Sequence, residues 1–185
     1  PTPPAIRLAV ERHVHTRYDG YFQALPQRFP GLSLLRYTRN APADDPLAAE
    51  LSDGIVAWDW RPSKNAILLR EEPYAVIGHL RLPRSGLTLA QLAALAAGKD
   101  QTYRFVYGGD DATLAALLDL DQPGEAAVRV DSWIAARDHI MSHEGTWSIV
   151  PWEVVDHRVR TLTVEGHRLR PDRIGNYPLV RRLWL

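Results

Sequence analysis

Short apolar segments alternate with helix-forming segments along the chain, and this alternation restricts the folds open to it. Ala5–Val10 and Leu32–Tyr37 have the length and apolar content of strands. Between them, residues 18–29 carry aromatic and leucine side chains at helical spacing, and Pro30-Gly31 ends that segment. Strands that are joined by helices usually pair in parallel, so the pattern predicts an α/β fold with mostly parallel sheets.

The same alternation continues to the C-terminus. Thr88 and Gln91 have capping-box spacing, and Gly98 lies where a C-terminal glycine belongs, so a helix is expected between them. Residues 66–69 and 74–80 are expected to be two extended segments, separated by the polar Glu71-Glu72-Pro73. The other expected elements are a short helix near Leu47–Leu51, helices at 110–120 and from Asp131 or Ser132 to before Gly145, and strands at Ile55–Trp60, Tyr103–Tyr107, Ala127–Val130, Trp147–Pro151 and Arg160–Val164.

A break in the pattern at Pro83-Arg84-Ser85-Gly86 predicts a crossover between two lobes. Residues 1–82 are expected to form the first lobe and residues 83–166 the second. Residues 167–185 are expected to be a closing segment that returns to the first lobe. Small ligands usually bind in clefts between lobes, so the site is expected there, with a hinge near Leu80–Pro83.

The composition argues against several classes of function. The chain has 22 basic and 22 acidic residues, so it lacks the positive charge of a general nucleic-acid-binding protein. It has no cysteine, which excludes disulfides, thiolate zinc sites and a cysteine nucleophile. The G-x-S-x-G, H-E-x-x-H and P-loop motifs are absent. We therefore expect a protein that is not an enzyme, carries no cofactor and binds no nucleic acid.

No apolar run approaches the roughly 20 residues that span a bilayer. The sequence begins at Pro1 rather than a methionine, so we expect that a signal segment, with or without a lipid anchor, has been removed.

Seven segments occur in an order that matches a known superfamily. They are Thr16–Tyr21, Phe29–Gly31, Leu51–Ala57, Leu87–Gly98, Tyr103–Leu118, Thr161–Gly166 and Tyr177–Arg181. Together they resemble the type 2 periplasmic-binding-protein superfamily, in particular its phosphate- and oxyanion-binding branch. Tyr103–Leu118 is similar to the strand, Gly-Ser-Gly-Thr turn and helix of that branch, and Tyr177–Arg181 is similar to its closing segment. The order and spacing of the segments carry the resemblance, which covers nearly the whole chain.

The resemblance implies a short, two-lobed member of the superfamily. Such a protein captures a small solute, with oxyanions such as phosphate, molybdate or tungstate as candidates, and delivers it to the permease of an ABC importer. It is expected to be extracytoplasmic and monomeric, and to do no chemistry on the solute. Two alternatives stay open: a ligand-sensing regulatory module of the same fold, and a protein-interaction scaffold that binds no solute.

The expected site residues lie in the loops that the resemblance assigns to ligand binding. A helix N-terminus presents unpaired N–H groups and a partial positive charge, which suits an anion or a polar carbonyl, and glycines let the backbone approach the ligand. The candidates are His15, Thr16 and Arg17 after the first strand, Trp58 and Asp59 at the end of the third, Gly108, Gly109, Asp110, Asp111 and Thr113 at one helix start, and Ser132 at the next.

The acidic pair Asp110-Asp111 departs from the family pattern, which has small hydroxyl residues at these positions. An aspartate at the N-cap accepts a first-turn N–H and repels an incoming anion, so the interpretation of Asp110 as a simple cap is favoured. A neutral or cationic ligand, or a site that no longer binds, therefore remains open. For Trp58, packing in the core is at least as well supported as a place in the ligand wall.

Two histidine pairs have spacings that occur in metal sites. His13 and His15 alternate in an extended segment, and His139 and His143 lie four apart on an expected helix. The first pair has no obvious third ligand, and the second has Glu144 adjacent but lacks the H-E-x-x-H order of metalloproteases. A surface role is therefore favoured for both, and no metal site is expected.

Overall fold

The computed structural model of the protein describes residues 6–12, 14, 18–37, 52–59, 66–170 and 172–185. The chain divides into two compact units: unit 1 is Pro1–Glu71 with Arg182–Leu185, and unit 2 is Glu72–Arg181. The chain thus leaves unit 1 after Glu71 and returns to it at Arg182, whereas the sequence pattern placed a boundary after residue 82. The assignment of these stretches to functional lobes stays a prediction.

Unit 1 contains a parallel sheet that the sequence pattern predicts well. Its elements are β1 (Ile6–Glu11), α1 (Asp19–Arg28), β2 (Leu32–Tyr37) and β3 (Gly54–Trp58). Strand β1 pairs in parallel with both β2 and β3. The C-terminal residues Leu183 and Trp184 pair antiparallel with β3 and complete this sheet. The expected short helix near Leu47–Leu51 lies outside the described residues.

In the described residues, the larger of the two core clusters of unit 1 lies between the sheet and α1. Val10, Val56, Trp58 and Leu183 come from three strands, and Phe22 is the buried residue of α1. The apolar residues of β1 and β3 that defined these strands in the sequence therefore supply most of this core.

Strand β4 (Leu68–Gly78) runs without interruption through the segment that the sequence pattern treated as a polar separator. Glu72 does not face water in a turn, because its Oε1 accepts a hydrogen bond from the Tyr74 hydroxyl at 2.6 Å and its side chain is buried. The two expected extended segments are therefore one strand, and a buried carboxylate with a hydrogen-bond donor beside it explains the difference. The strand passes from unit 1 into unit 2 along its length.

Unit 2 continues the alternation of strands and helices. Its elements are β5 (Gly86–Leu87), α2 (Leu89–Ala96), β6 (Arg104–Tyr107), α3 (Asp111–Leu118), β7 (Val128–Arg129), α4 (Trp133–Ser142), β8 (Thr146–Pro151), a 3₁₀ turn (Trp152–Val154), β9 (Arg160–Thr161), β10 (Thr163–Val164) and the start of β11 (Val180–Trp184).

The sheet of unit 2 has the order β4-β8-β6-β7, and β9 pairs with the end of β4. Strand β6 is parallel to both β7 and β8, whereas β8 is antiparallel to β4. Strands β5 and β10 form a separate parallel pair, so the expected strand at Arg160–Val164 is divided at Leu162, whose N–H donates to Val76 O at 3.0 Å. The predicted α/β class is confirmed.

Helix α2 has the N-terminus that its sequence predicts. Gln91 N donates to Thr88 Oγ1 at 3.1 Å, and Thr88 N donates to Gln91 Oε1 at 3.0 Å, which completes the capping box. Gly98 has φ +71°, the left-handed conformation expected just after a helix. In the part of the chain that the structure describes, no helix has the length and apolar character needed to cross a membrane.

Candidate functional site

Two helices of unit 2 begin beside each other at one edge of its sheet. Strands β6 and β7 are parallel neighbours, with Val106 opposite Val128 and Tyr107 opposite Arg129. Their carboxyl ends therefore meet at the same edge, which is where ligands bind in α/β sheets. The loop after β6 leads into α3, and the loop after β7 leads into α4.

The two helix starts are held together by a glycine. A Cβ atom on Gly108 would overlap the backbone carbonyl of Ser132, so only a residue without a side chain permits this approach. Gly109 has φ +79°, and a Cβ there would overlap the indole ring of Trp133. The Gly108-Gly109 pair in the sequence thus marks close packing between the loop before α3 and the start of α4.

Asp110 is the N-cap of α3. Its Oδ1 accepts a hydrogen bond from Thr113 N at 2.6 Å, and its Oδ2 accepts one from Thr113 Oγ1 at 3.1 Å. An α-helix has no internal partners for its first N–H groups, so the cap satisfies Thr113 while the N–H groups of Asp111 and Ala112 point out of the helix start. The interpretation of Asp110 as a cap is confirmed.

Asp111 has a different environment from Asp110. Its Oδ2 lies 3.5 Å from Nη1 of Arg129, and both side chains are about half exposed. Burial raises the pKa of the Tyr107 hydroxyl, and the negative charge of Asp111 raises it further. The carboxylate of Asp111 is therefore partly neutralised by Arg129, whereas Asp110 is held by hydrogen bonds to Thr113.

A buried arginine reaches the start of α3 from β11. Arg181 is only 9% exposed, and its Nη1 donates to Thr113 Oγ1 at 2.8 Å. Thr113 is itself 2% exposed, so its hydroxyl links the guanidinium of Arg181 to the carboxylate of Asp110. A cation is thus fixed next to the helix N-terminus, where it adds to the positive potential of the N–H groups.

Strand β4 is joined to the segment before Arg181 by a hydrogen bond, in which Tyr74 N donates to Leu179 O at 2.8 Å. The start of α3 thus brings together the carboxylates of Asp110 and Asp111, the guanidinium of Arg181 and the first amide N–H groups of the helix. Amide N–H groups and a guanidinium can donate hydrogen bonds to an oxyanion, whereas the two carboxylates repel it.

The start of α4 adds a second helix N-terminus. Ser132 caps it by accepting a hydrogen bond from Ala135 N at 3.1 Å, as the sequence pattern predicts. Trp133 follows at the first helical position, and its ring lies 5.9 Å from that of Tyr74 at an interplanar angle of 70°. The indole is thus packed between Tyr74 and Gly109.

Two candidate residues lie in unit 1. Trp58 is 2% exposed and belongs to the core. Its backbone N–H donates to Glu11 Oε2 at 3.1 Å. Asp59 follows in the left-handed conformation with φ 54°, and its Oδ1 accepts a hydrogen bond from Arg182 N at 2.8 Å. Asp59 therefore ties the end of β3 to β11.

The structure brings six of the candidate residues together in unit 2, namely Gly108, Gly109, Asp110, Asp111, Thr113 and Ser132. His15, Thr16 and Arg17 lie outside the described residues, so their role as ligand-binding residues stays a prediction. Sequence reasoning did not select Arg181 or Glu72, and it left Trp133 open as either a cleft-lining or a core residue. The signal for Arg181 was the arginine pair Arg181-Arg182 inside an apolar segment, which is unusual in a strand that is mostly buried.

The second histidine pair lies on α4, away from the helix starts. The rings of His139 and His143 are stacked, with centroids 4.0 Å apart and an interplanar angle of 8°. Burial lowers the pKa of His139, and the neighbouring His143 and Arg104 lower it further. Among the described residues, no group of three or more potential ligands is placed to hold a metal. His13 and His15 both lie outside the described residues.

Comparison with known proteins adds a match in fold. No protein-family model matches the sequence, and no curated protein matches it. Among solved structures, the chain is similar to a possible phosphate-binding protein from Planctomyces limnophilus, with TM-score 0.75 and 11% identity over 97% of this chain and 79% of that one. It is also similar to an ABC-type phosphate transport receptor from Vibrio cholerae, with TM-score 0.71 and 16% identity over 97% and 85%. PstS from Borrelia burgdorferi gives TM-score 0.70 and 10% identity over 98% and 85%. The chain therefore has a periplasmic-binding-protein-like fold of the kind found in phosphate receptors, as its sequence predicts.

Proposed function

We propose that the protein is an extracytoplasmic solute-binding protein that captures a small oxyanion, with phosphate as the first candidate, and passes it to the permease of an ABC importer. The observation that supports this most directly is the buried Arg181 at the start of α3, beside the start of α4. A fixed cation next to two helix N-termini is an arrangement that stabilises negative charge. The similar solved structures described as phosphate receptors or phosphate-binding proteins agree with the proposal.

The function is binding without catalysis. The donors around α3 are amide N–H groups and a guanidinium, which bind and orient an anion. The carboxylates of Asp110 and Glu72 accept hydrogen bonds from Thr113 and Tyr74, respectively. We propose that the protein acts as a monomer and that the amide N–H groups and the guanidinium hold its solute.

Calorimetric titration of the full chain with phosphate, molybdate and tungstate tests the proposal. A specific oxyanion should bind with measurable heat and raise the thermal midpoint in proportion to the logarithm of its concentration. Arg181→Lys should weaken binding at least tenfold, because an ammonium group does not reproduce the planar guanidinium that holds Thr113 and fixes the positive charge beside the helix start. Arg168→Lys, an exposed position in the same unit, is the matched control and should leave binding unchanged.

Arg181 is buried, so circular dichroism must first show that Arg181→Lys is folded. Thr113→Val provides a second variant of the same volume, which removes the hydroxyl that orients Arg181. If no oxyanion gives heat or a thermal shift with the unmodified protein, the proposal is wrong.

One observation favours a second candidate function, a scaffold that binds no solute. Asp110 and Asp111 place two carboxylates at the helix start that would receive the anion. A scaffold would show no response to any solute in the same titration, so the experiment separates the two functions.

A further inference from the structure

The first turn of α4 begins with two apolar residues, one of which is exposed to solvent. Trp133 and Ile134 occupy its first two positions, and Ile134 is 55% exposed. First turns favour acidic and capping residues, because these satisfy the free N–H groups and the helix dipole. The exposed apolar surface of Ile134 therefore lies at the start of α4, directly after Trp133 in the sequence.

The indole of Trp133 is fixed beside the anion donors. It packs on the backbone of Gly109, directly before the α3 cap, and against the ring of Tyr74. The side chain of Trp133 is half-buried rather than enclosed in the core. The ring therefore forms a rigid, partly exposed wall next to the helix starts.

From this juxtaposition we infer that the site takes an oxyanion that carries an apolar substituent, such as an organic phosphonate or phosphate monoester. The oxyanion group lies at the start of α3 near Arg181, and the substituent contacts Trp133 and Ile134. The inference rests on the proposed oxyanion-binding function and specifies its ligand class. An aromatic wall and an aliphatic side chain favour an apolar group over water, so affinity rises with the apolar area of the substituent.

The test compares inorganic phosphate, methylphosphonate and phenylphosphonate by calorimetric titration of the full chain, at a pH where all three are dianions. The proposal expects phenylphosphonate to bind roughly tenfold more tightly than methylphosphonate, which corresponds to burial of about 60 Å² of apolar surface. Inorganic phosphate should bind no more tightly than methylphosphonate. The reverse order, with phosphate tightest, overturns the inference and leaves the proposed function standing.

Ile134→Ser locates the effect. Since Ile134 is exposed, the fold should be retained, the affinity for inorganic phosphate should stay the same, and most of the preference for phenylphosphonate should be lost. Leu80→Ser is the matched control, because Leu80 is equally exposed in the same unit and should leave the preference intact. If both variants keep the preference, Ile134 is not part of the site and the inference is wrong. If none of the three anions binds the unmodified protein, the proposed function itself fails.

Discussion

At the scale of single residues, Asp110 decides how well the start of α3 accepts an anion. Its carboxylate caps the helix and, at the same time, adds a negative charge beside Arg181 through Thr113. The cap was foreseeable from the sequence, because aspartate before a helix is a common N-cap. The link to Arg181 was not, because it joins residues 68 positions apart and depends on the strand that delivers the arginine.

The first prediction at this scale concerns Asp110→Ser. Serine caps a helix about as well as aspartate but carries no charge, so the fold should lose at most about 1 kcal/mol while the site loses a repulsive charge. A charge at about 4 Å contributes between roughly 1 and 4 kcal/mol, depending on its exposure to solvent. We therefore expect phosphate to bind about tenfold more tightly to the variant, as measured by calorimetric titration.

Asp121→Ser is the control for this change. Asp121 is an exposed acidic residue beyond the other end of α3, about 12 Å of helix rise away, so removing its charge should have little effect on affinity. Equal gains in the two variants would mean that the net charge of the protein, and not the cap, controls anion binding.

At the scale of helices and strands, most elements could be predicted from the sequence, and the exceptions have physical causes. The capping box of α2 is a local signal, so its sequence was sufficient to place the helix. Strand β4 was divided in the prediction because Glu71-Glu72-Pro73 has the composition of a turn. The partner that makes Glu72 tolerable in a strand is Tyr74, whose hydroxyl contact appears only when the strand is formed.

A prediction for α4 concerns its stacked histidines. Burial and the charges of His143 and Arg104 lower the pKa of His139 below its usual value of 6.5 in the folded protein. The unfolded chain then binds more protons than the folded one below about pH 6.5, so stability falls as the pH drops through that value. His139→Gln should flatten this part of the profile of thermal midpoint against pH.

His157→Gln serves as the comparison, because His157 is an exposed histidine of the same unit and the fold should tolerate its replacement. A profile for His139→Gln that is as steep below pH 6.5 as that of the unmodified protein would show that other groups cause the dependence.

At the scale of the whole molecule, the C-terminal residues complete the sheet of unit 1. Leu183 is opposite Trp58 and Trp184 is opposite Ala57, and Leu183 is buried with Trp58 in the core. The resemblance implied that the closing segment returns to the first lobe. The local sequence pattern, however, does not show which strand, more than 120 residues away, the segment pairs with. That part of the fold comes from long-range pairing, which a reading of nearby residues does not capture.

Deletion of residues 182–185 should therefore weaken unit 1 more than unit 2. Losing the burial of Leu183 alone costs about 1.5–3 kcal/mol, and the loss of the hydrogen bonds to β3 and Asp59 adds to this. Hydrogen exchange should show reduced protection of amides in β1 and β3, with β6 and β8 still protected. Equal loss of protection in both units would mean that they unfold as one.

The two units also differ in the order in which translation produces their strands. Unit 2 is one uninterrupted stretch of polypeptide, so all its strands have been synthesised once Arg181 has emerged. Unit 1 has its first strands early but acquires Arg182–Leu185 only after the whole of unit 2 has been synthesised. During that interval one side of β3 is left without its strand partner, so the nascent protein exposes an unpaired apolar edge until these four residues arrive.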